Sequence, residues 1–183
     1  MSTKNLPRTI AGIVLMACTF VGAAHAKAEA VTPMGLEVGG TCVQALEKMG
    51  AHQKTDIGDG DTLYKAKAPT SLHPDAQQVN VRCSQDQVVA VQVVFPKVGV
   101  SNAGGKALYR ELNAKYKKVK GGVIPSVGDG YARFTKGANV IELDVPHMAF
   151  AHHVTYTTQA FFERMRAANQ RRADEKTAAT RSL

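Results

Sequence analysis

Three places in the chain gather side chains that could do chemistry. In Asp56-Ile57-Gly58-Asp59-Gly60-Asp61, three carboxylates on a glycine-rich segment could hold a hard cation such as calcium. The spacing is not that of an EF-hand loop and the distal bidentate Glu is missing, so a solvated Gly/Asp turn is expected. Asp144, His147, His152 and His153 form the densest imidazole cluster, and zinc accepts that set of donors. His152 and His153 are adjacent in an expected strand, however, and point to opposite faces, so they cannot share one site without a bulge. The third place is Ile124-Pro125-Ser126-Val127-Gly128. It has a serine before a glycine at the spacing of a nucleophile elbow, but Ile124 stands where that strained turn needs glycine. Gly104-Gly105-Lys106 lacks the rest of a phosphate-cradling loop. The expectation is therefore no catalytic residue, no metal ligand and no cofactor.

Cys42 and Cys83 remain as a pair once Cys18, inside the N-terminal apolar run, is set aside. An even count fits one disulfide in an oxidising compartment, the alternative being two buried thiols. With no Cys-x-x-Cys in the chain, thiol redox catalysis and cysteine-type zinc sites have no support.

The elements that must position these residues read as follows. Residues 27–35, small and polar with Pro33, are a linker. Thr41 caps a short helix whose stripe is Val38, Cys42, Leu46 and Met49, and Gly50 ends it. A Gly/Asp loop spans 51–61, a short strand 62–67 and a Pro-flanked loop 68–74. Val79, Val81 and Cys83 alternate with polar residues, and after a turn at 84–87 so do Val89, Val91, Val93 and Phe95. Cys83 shares the apolar face, so a bridge to Cys42 would staple helix to sheet. A second helix over 103–119 carries Leu108, Leu112, Tyr116 and Val119 on one side and the lysines of 115–120 on the other. Strands follow at 131–135, 139–145 and 150–156. A last helix over 158–172 sets Phe161, Phe162 and Met165 beside Arg164, Arg166, Arg171 and Arg172, and residues 173–183 are expected to be disordered. Gly58-Asp59-Gly60 and Gly128-Asp129-Gly130 recur after a helix and before a strand. The fold class is thus α+β: two helix-plus-antiparallel-sheet units, about 36–97 and 102–157, with the echo leaving open a duplication. Residues 36–172 form one domain.

The N-terminus decides the compartment. Lys4 and Arg8 precede the apolar run 10–21, and Ala24-His25-Ala26 gives an A-x-A end, the parts of a signal peptide over residues 1–26. The alternative takes Leu15-Met16-Ala17-Cys18 as a lipobox with a lipid on Cys18. The chain carries a formal net charge of +8, and a leader with Lys4 and Arg8 and no carboxylate lowers it to +6. That excess suits anionic partners, and export argues against nucleic acid.

Gly35-Leu36-Glu37-Val38-Gly39-Gly40-Thr41, running into Ala45-Leu46-Glu47-Lys48-Met49-Gly50, resembles the opening of small exported α+β modules. These are the outer-membrane assembly lipoproteins of the SmpA/OmlA type and the β-lactamase-inhibitor-protein-like domains. The resemblance implies a capped helix, a small antiparallel sheet, and binding of other proteins without catalysis. Here Met49-Gly50 replaces the Leu-Gly of those families. The expected function is a periplasmic or secreted binding module that meets an envelope protein or an anionic envelope surface, with peripheral membrane association possible. Its expected contact residues are Phe161, Phe162, Arg164, Arg166, Arg171 and Arg172, along with the outward sheet face. The alternatives are a small metal-dependent or hydrolytic envelope enzyme using 144–153, and a structural protein anchored through Cys18.

Overall fold

Strand-forming residues dominate the middle of the chain, and in the computed structural model they build one antiparallel sheet of eight strands. The structure describes residues 30–69, 71 and 73–181; the signal peptide expected over residues 1–26, with Cys18, lies outside the described residues. In chain order the elements are α1 (Cys42–Met49), β1 (Gln53–Asp56), β2 (Asp61–Lys67), β3 (Gln78–Ser84), β4 (Gln87–Pro96), α2 (Ala103–Lys115), β5 (Lys117–Gly121), β6 (Gly130–Lys136), β7 (Asn139–Val145), β8 (Ala151–Thr158) and α3 (Gln159–Arg181). The spatial order is β1-β2-β3-β4-β8-β7-β6-β5. Each half is a helix followed by a four-stranded meander, and the halves join through their last strands, β4 and β8. The α+β class expected from the sequence is therefore the class observed.

Alternation fixes one buried face. Val79, Val81, Val91, Val93, Val154, Ile141, Leu143, Ala132 and Phe134 all turn to the side where α1 and α2 lie. In the first half the attachment is covalent. Cys42 on α1 is bonded to Cys83 on β3, with Cα atoms 6.1 Å apart. In the second half α2 seats Leu108 and Leu112 in the core, and Gly105 brings the helix against β7. A Cβ at Gly105 would lie 2.8 Å from both methyl carbons of Val145, too close for any larger residue. The β3–β4 hairpin turns on Gln85 and Asp86, both with positive φ (49° and 61°), the twist a two-residue connection requires.

Five expectations are corrected. Residues 30–35 are no free linker: Val31 is buried, and its carbonyl accepts the Val38 N–H at 3.0 Å. The 51–61 loop contains β1. The second helix ends at Lys115, and the lysine-rich stretch after it is β5, the outer strand, with Val119 as a bulge. Three lysines along an edge strand repel a neighbour's edge, which is where such a run is useful in a sheet. The last helix does not stop at 172 but continues through the supposed disordered tail to Arg181. Its polar composition hid this, because an exposed helix needs no apolar stripe. Finally, Thr41 precedes α1 as expected but makes no side-chain capping bond; the Cys42 N–H donates to the Asp86 carbonyl at 2.9 Å.

Candidate functional site

The helices α1 and α2 cover one side of the sheet and leave the other to α3 and solvent. Residues directly paired across strands share a face, so the register lays out this second side in rows. One row crosses every strand: Gln53, Lys65, Asn80, Gln92, Thr155, Glu142, Arg133 and Lys120. Several of its members are linked side chain to side chain. Asn80 Nδ2 donates to Gln92 Oε1 at 2.9 Å, and Gln92 Nε2 donates to Thr155 Oγ1 at 3.5 Å. Gln78 Nε2, from the same strand as Asn80, donates to Asn80 Oδ1 at 2.6 Å. Beyond Thr155, Arg133 donates to Glu142 at 3.1 Å, and the Tyr131 hydroxyl also donates to that carboxylate. Burial first and then Glu142 push the Tyr131 hydroxyl up to about 12, so it remains a donor.

The row on one flank, Leu63, Arg82, Ala90, Thr157, Val140 and Thr135, is the seat of α3. The Phe161 N–H is capped by Thr158 Oγ1 at 3.2 Å, which starts the helix as its strand ends. Phe161 is buried, with the guanidinium carbons of Arg82 and Arg164 4.8 and 4.9 Å from its ring centre. Both arginines converge on Asp61, Arg82 at 2.6 Å and Arg164 at 2.9 Å. Asp61 is 1% exposed. Burial raises its pKa, but hydrogen bonds from Ser84 and Arg82 and the charges of Arg82 and Arg164 outweigh that and hold it below the ordinary carboxylate value. Phe162 stacks on Arg133 at 4.4 Å. Together with Met165, Arg166 and Asn169 it walls an open groove of about 390 Å³ over Arg133 and Glu142.

The six expected contact residues thus divide. Phe161 and Arg164 fasten α3 to the sheet. Phe162 and Arg166 line the groove, and Arg171 and Arg172 lie on the exposed outer stretch of the helix. Sequence reasoning missed Asn80, Gln92, Thr155 and Arg133. Their polarity at every second position signals a solvent-facing side, but the register that joins them is not written in any one strand.

The expected chemical clusters come apart. His152 is 2% exposed on the helix side, beneath Gly104 of α2, and burial first, then Lys97 and His153, lower its pKa. His153 faces the open side, opposite Asp144 in register. His147 Nδ1 accepts the Gly128 N–H at 3.2 Å. Asp56 accepts the Gly58 N–H at 2.9 Å in a local turn, while Asp61 belongs to the arginines. Ser126 Oγ accepts a hydrogen bond from Lys106 Nζ at 2.6 Å. Among the described residues no group of three or more His, Cys, Asp or Glu side chains is placed to hold a metal ion. No described helix is long and apolar enough to cross a membrane.

No known protein family, no curated protein and no solved structure matches the chain.

Proposed function

We propose that this chain is an exported, non-catalytic envelope module that binds another protein across the uncovered side of its sheet, with α3 as one wall of the site. The observation that carries the reading is the polar row from Lys65 to Arg133, hydrogen-bonded along much of its length. Side chains already tied to one another lose little freedom when a partner docks, and a polar, pre-ordered surface flanked by a groove suits a reversible protein contact. The resemblance of residues 35–50 to exported binding modules supports the same reading, as do the leader at 1–26 and the basic charge, which favours an acidic partner surface. The enzyme alternative built on 144–153 has no convergent geometry to carry it. The lipid-anchored alternative rests on Cys18 alone.

The test places a photo-activatable cross-linking residue at Thr155 on the open face, and at Glu47 on α1 as a control, in the protein's native host. A partner adduct is expected from position 155 and not from 47. With the cross-linker moved to Gln92 in the same row, Thr155→Arg should abolish the adduct with the melting temperature unchanged, and Arg171→Ala with Arg172→Ala should weaken it. Equal adducts at the open face and at 47, or capture that survives Thr155→Arg, would sink the proposal.

A further inference from the structure

Three loops at one end of the sheet, residues 97–102, 122–129 and 146–150, are fastened to one another at their bases. Lys97 N–H donates to the Phe150 carbonyl at 2.8 Å, and its ammonium donates to the carbonyls of Pro146 and His147 at 3.0 and 2.7 Å. Asn102, fully buried, donates through Nδ2 to the carbonyls of Pro125 and Gly128 at 3.1 and 2.7 Å. Its N–H reaches the Ser126 carbonyl at 2.9 Å. His147 N–H donates to Asp129 at 2.7 Å, closing the set.

This fixed base presents large apolar side chains that touch little else. Phe150 is 92% exposed, Met148 and Val98 each 88%, Val123 79% and Val100 70%. Single exposed apolar residues are ordinary, but several on neighbouring loops mark an interaction site. The charge pattern says which kind. Residues 97–103, 121–128 and 145–151 contain no Asp or Glu, while Lys97 and Lys106 lie at the base of the loops. The nearest carboxylates along the chain are Asp129, held by the His147 N–H, and Asp144 within β7. Phe150 and Met148 project separately into solvent, whereas Val98 also borders a cavity of about 630 Å³ whose lining includes Asp75 and Glu111. A protein would need a socket for each, whereas a fluid bilayer conforms to all of them.

We propose that these three loops form a membrane-docking tip that inserts Phe150, Met148 and Val98 into the headgroup–acyl boundary of an anionic bilayer, with the cations behind them at the phosphates. It is a second surface, independent of the open-face reading.

The chain contains no tryptophan, so Phe150→Trp makes the full-length protein report from the tip alone. With vesicles of phosphatidylglycerol and phosphatidylethanolamine, its emission should shift to the blue and be quenched by lipids brominated on their acyl chains. Pure phosphatidylcholine vesicles should bind at least about tenfold more weakly. Met148→Ser with Phe150→Ser should weaken binding to the anionic vesicles by at least about tenfold, with the melting temperature unchanged. Vesicle binding that leaves the emission of the introduced indole unaltered would mean that another segment, such as the apolar run at 10–21, makes the contact, and would overturn the proposal. So would an absence of vesicle binding, or an indole at position 150 that becomes buried only on a protein partner.

Discussion

Asp61 shows how one side chain can be misjudged from its neighbours in sequence. In Asp56-Ile57-Gly58-Asp59-Gly60-Asp61 it reads as a third loop carboxylate, yet it begins β2 and is buried between Arg82 and Arg164. The partners come from 21 and 103 residues away, so no local pattern could reveal them. A depressed folded pKa means that its contribution to stability is complete above the unfolded value of 3.8 and is lost as the pH falls through the lower folded value. Asp61→Asn should therefore cost about 2 kcal/mol at neutral pH, discounted for the partial exposure of both arginines. The deficit relative to wild type should shrink steadily as the pH is taken below 3.8. Denaturant titrations of both proteins across that range measure it. A deficit that is the same at every pH would mean lost packing, with the charge playing no part.

At the level of elements, strands with one buried face were readable and strands without one were not. Val79, Val81 and Cys83 alternate because α1 covers them, and the sequence carries that periodicity openly. Gln53–Asp56 and Lys117–Gly121 lie at the edges with every residue exposed, so they show no alternation and read as a loop and as a helix face. The outer part of α3 was hidden for the same reason. The join of α1 to β3 was legible, because Cys42 and Cys83 each sat on an apolar stripe. The two cysteines are 41 residues apart, and closing that loop is worth about 4 kcal/mol if it acts by limiting the unfolded chain. Cys42→Ser should lose most of that under oxidising conditions and differ little from wild type once both are fully reduced. An equal loss with reductant present would assign the effect to packing around α1.

For the whole molecule, the notable property is repetition. Helix, meander, helix, meander meet at β4 and β8 in a pairing that relates the halves by a local two-fold, and the two Gly-Asp-Gly segments occupy the matching β1–β2 and β5–β6 connections. The candidate face exists only because both halves contribute: Asn80 and Gln92 come from one, Thr155, Glu142 and Arg133 from the other. That joint row was illegible in the sequence, since each half alone shows only alternating polar residues. The arrangement also leaves the sheet open, with β1 and β5 as its two free ends. Because β1 and β5 lie at opposite ends of the sheet, the β1 end of one molecule laid against the β5 end of the next would leave both outer ends ready to repeat the step, and the assembly would have no natural length. On that geometry Lys117, Lys118 and Lys120 would oppose such growth by charge. Replacing all three with threonine should turn a dispersed protein into one that elongates into filaments, visible by electron microscopy and hastened by seeding, and concentrated salt should move wild type in the same direction by screening those charges.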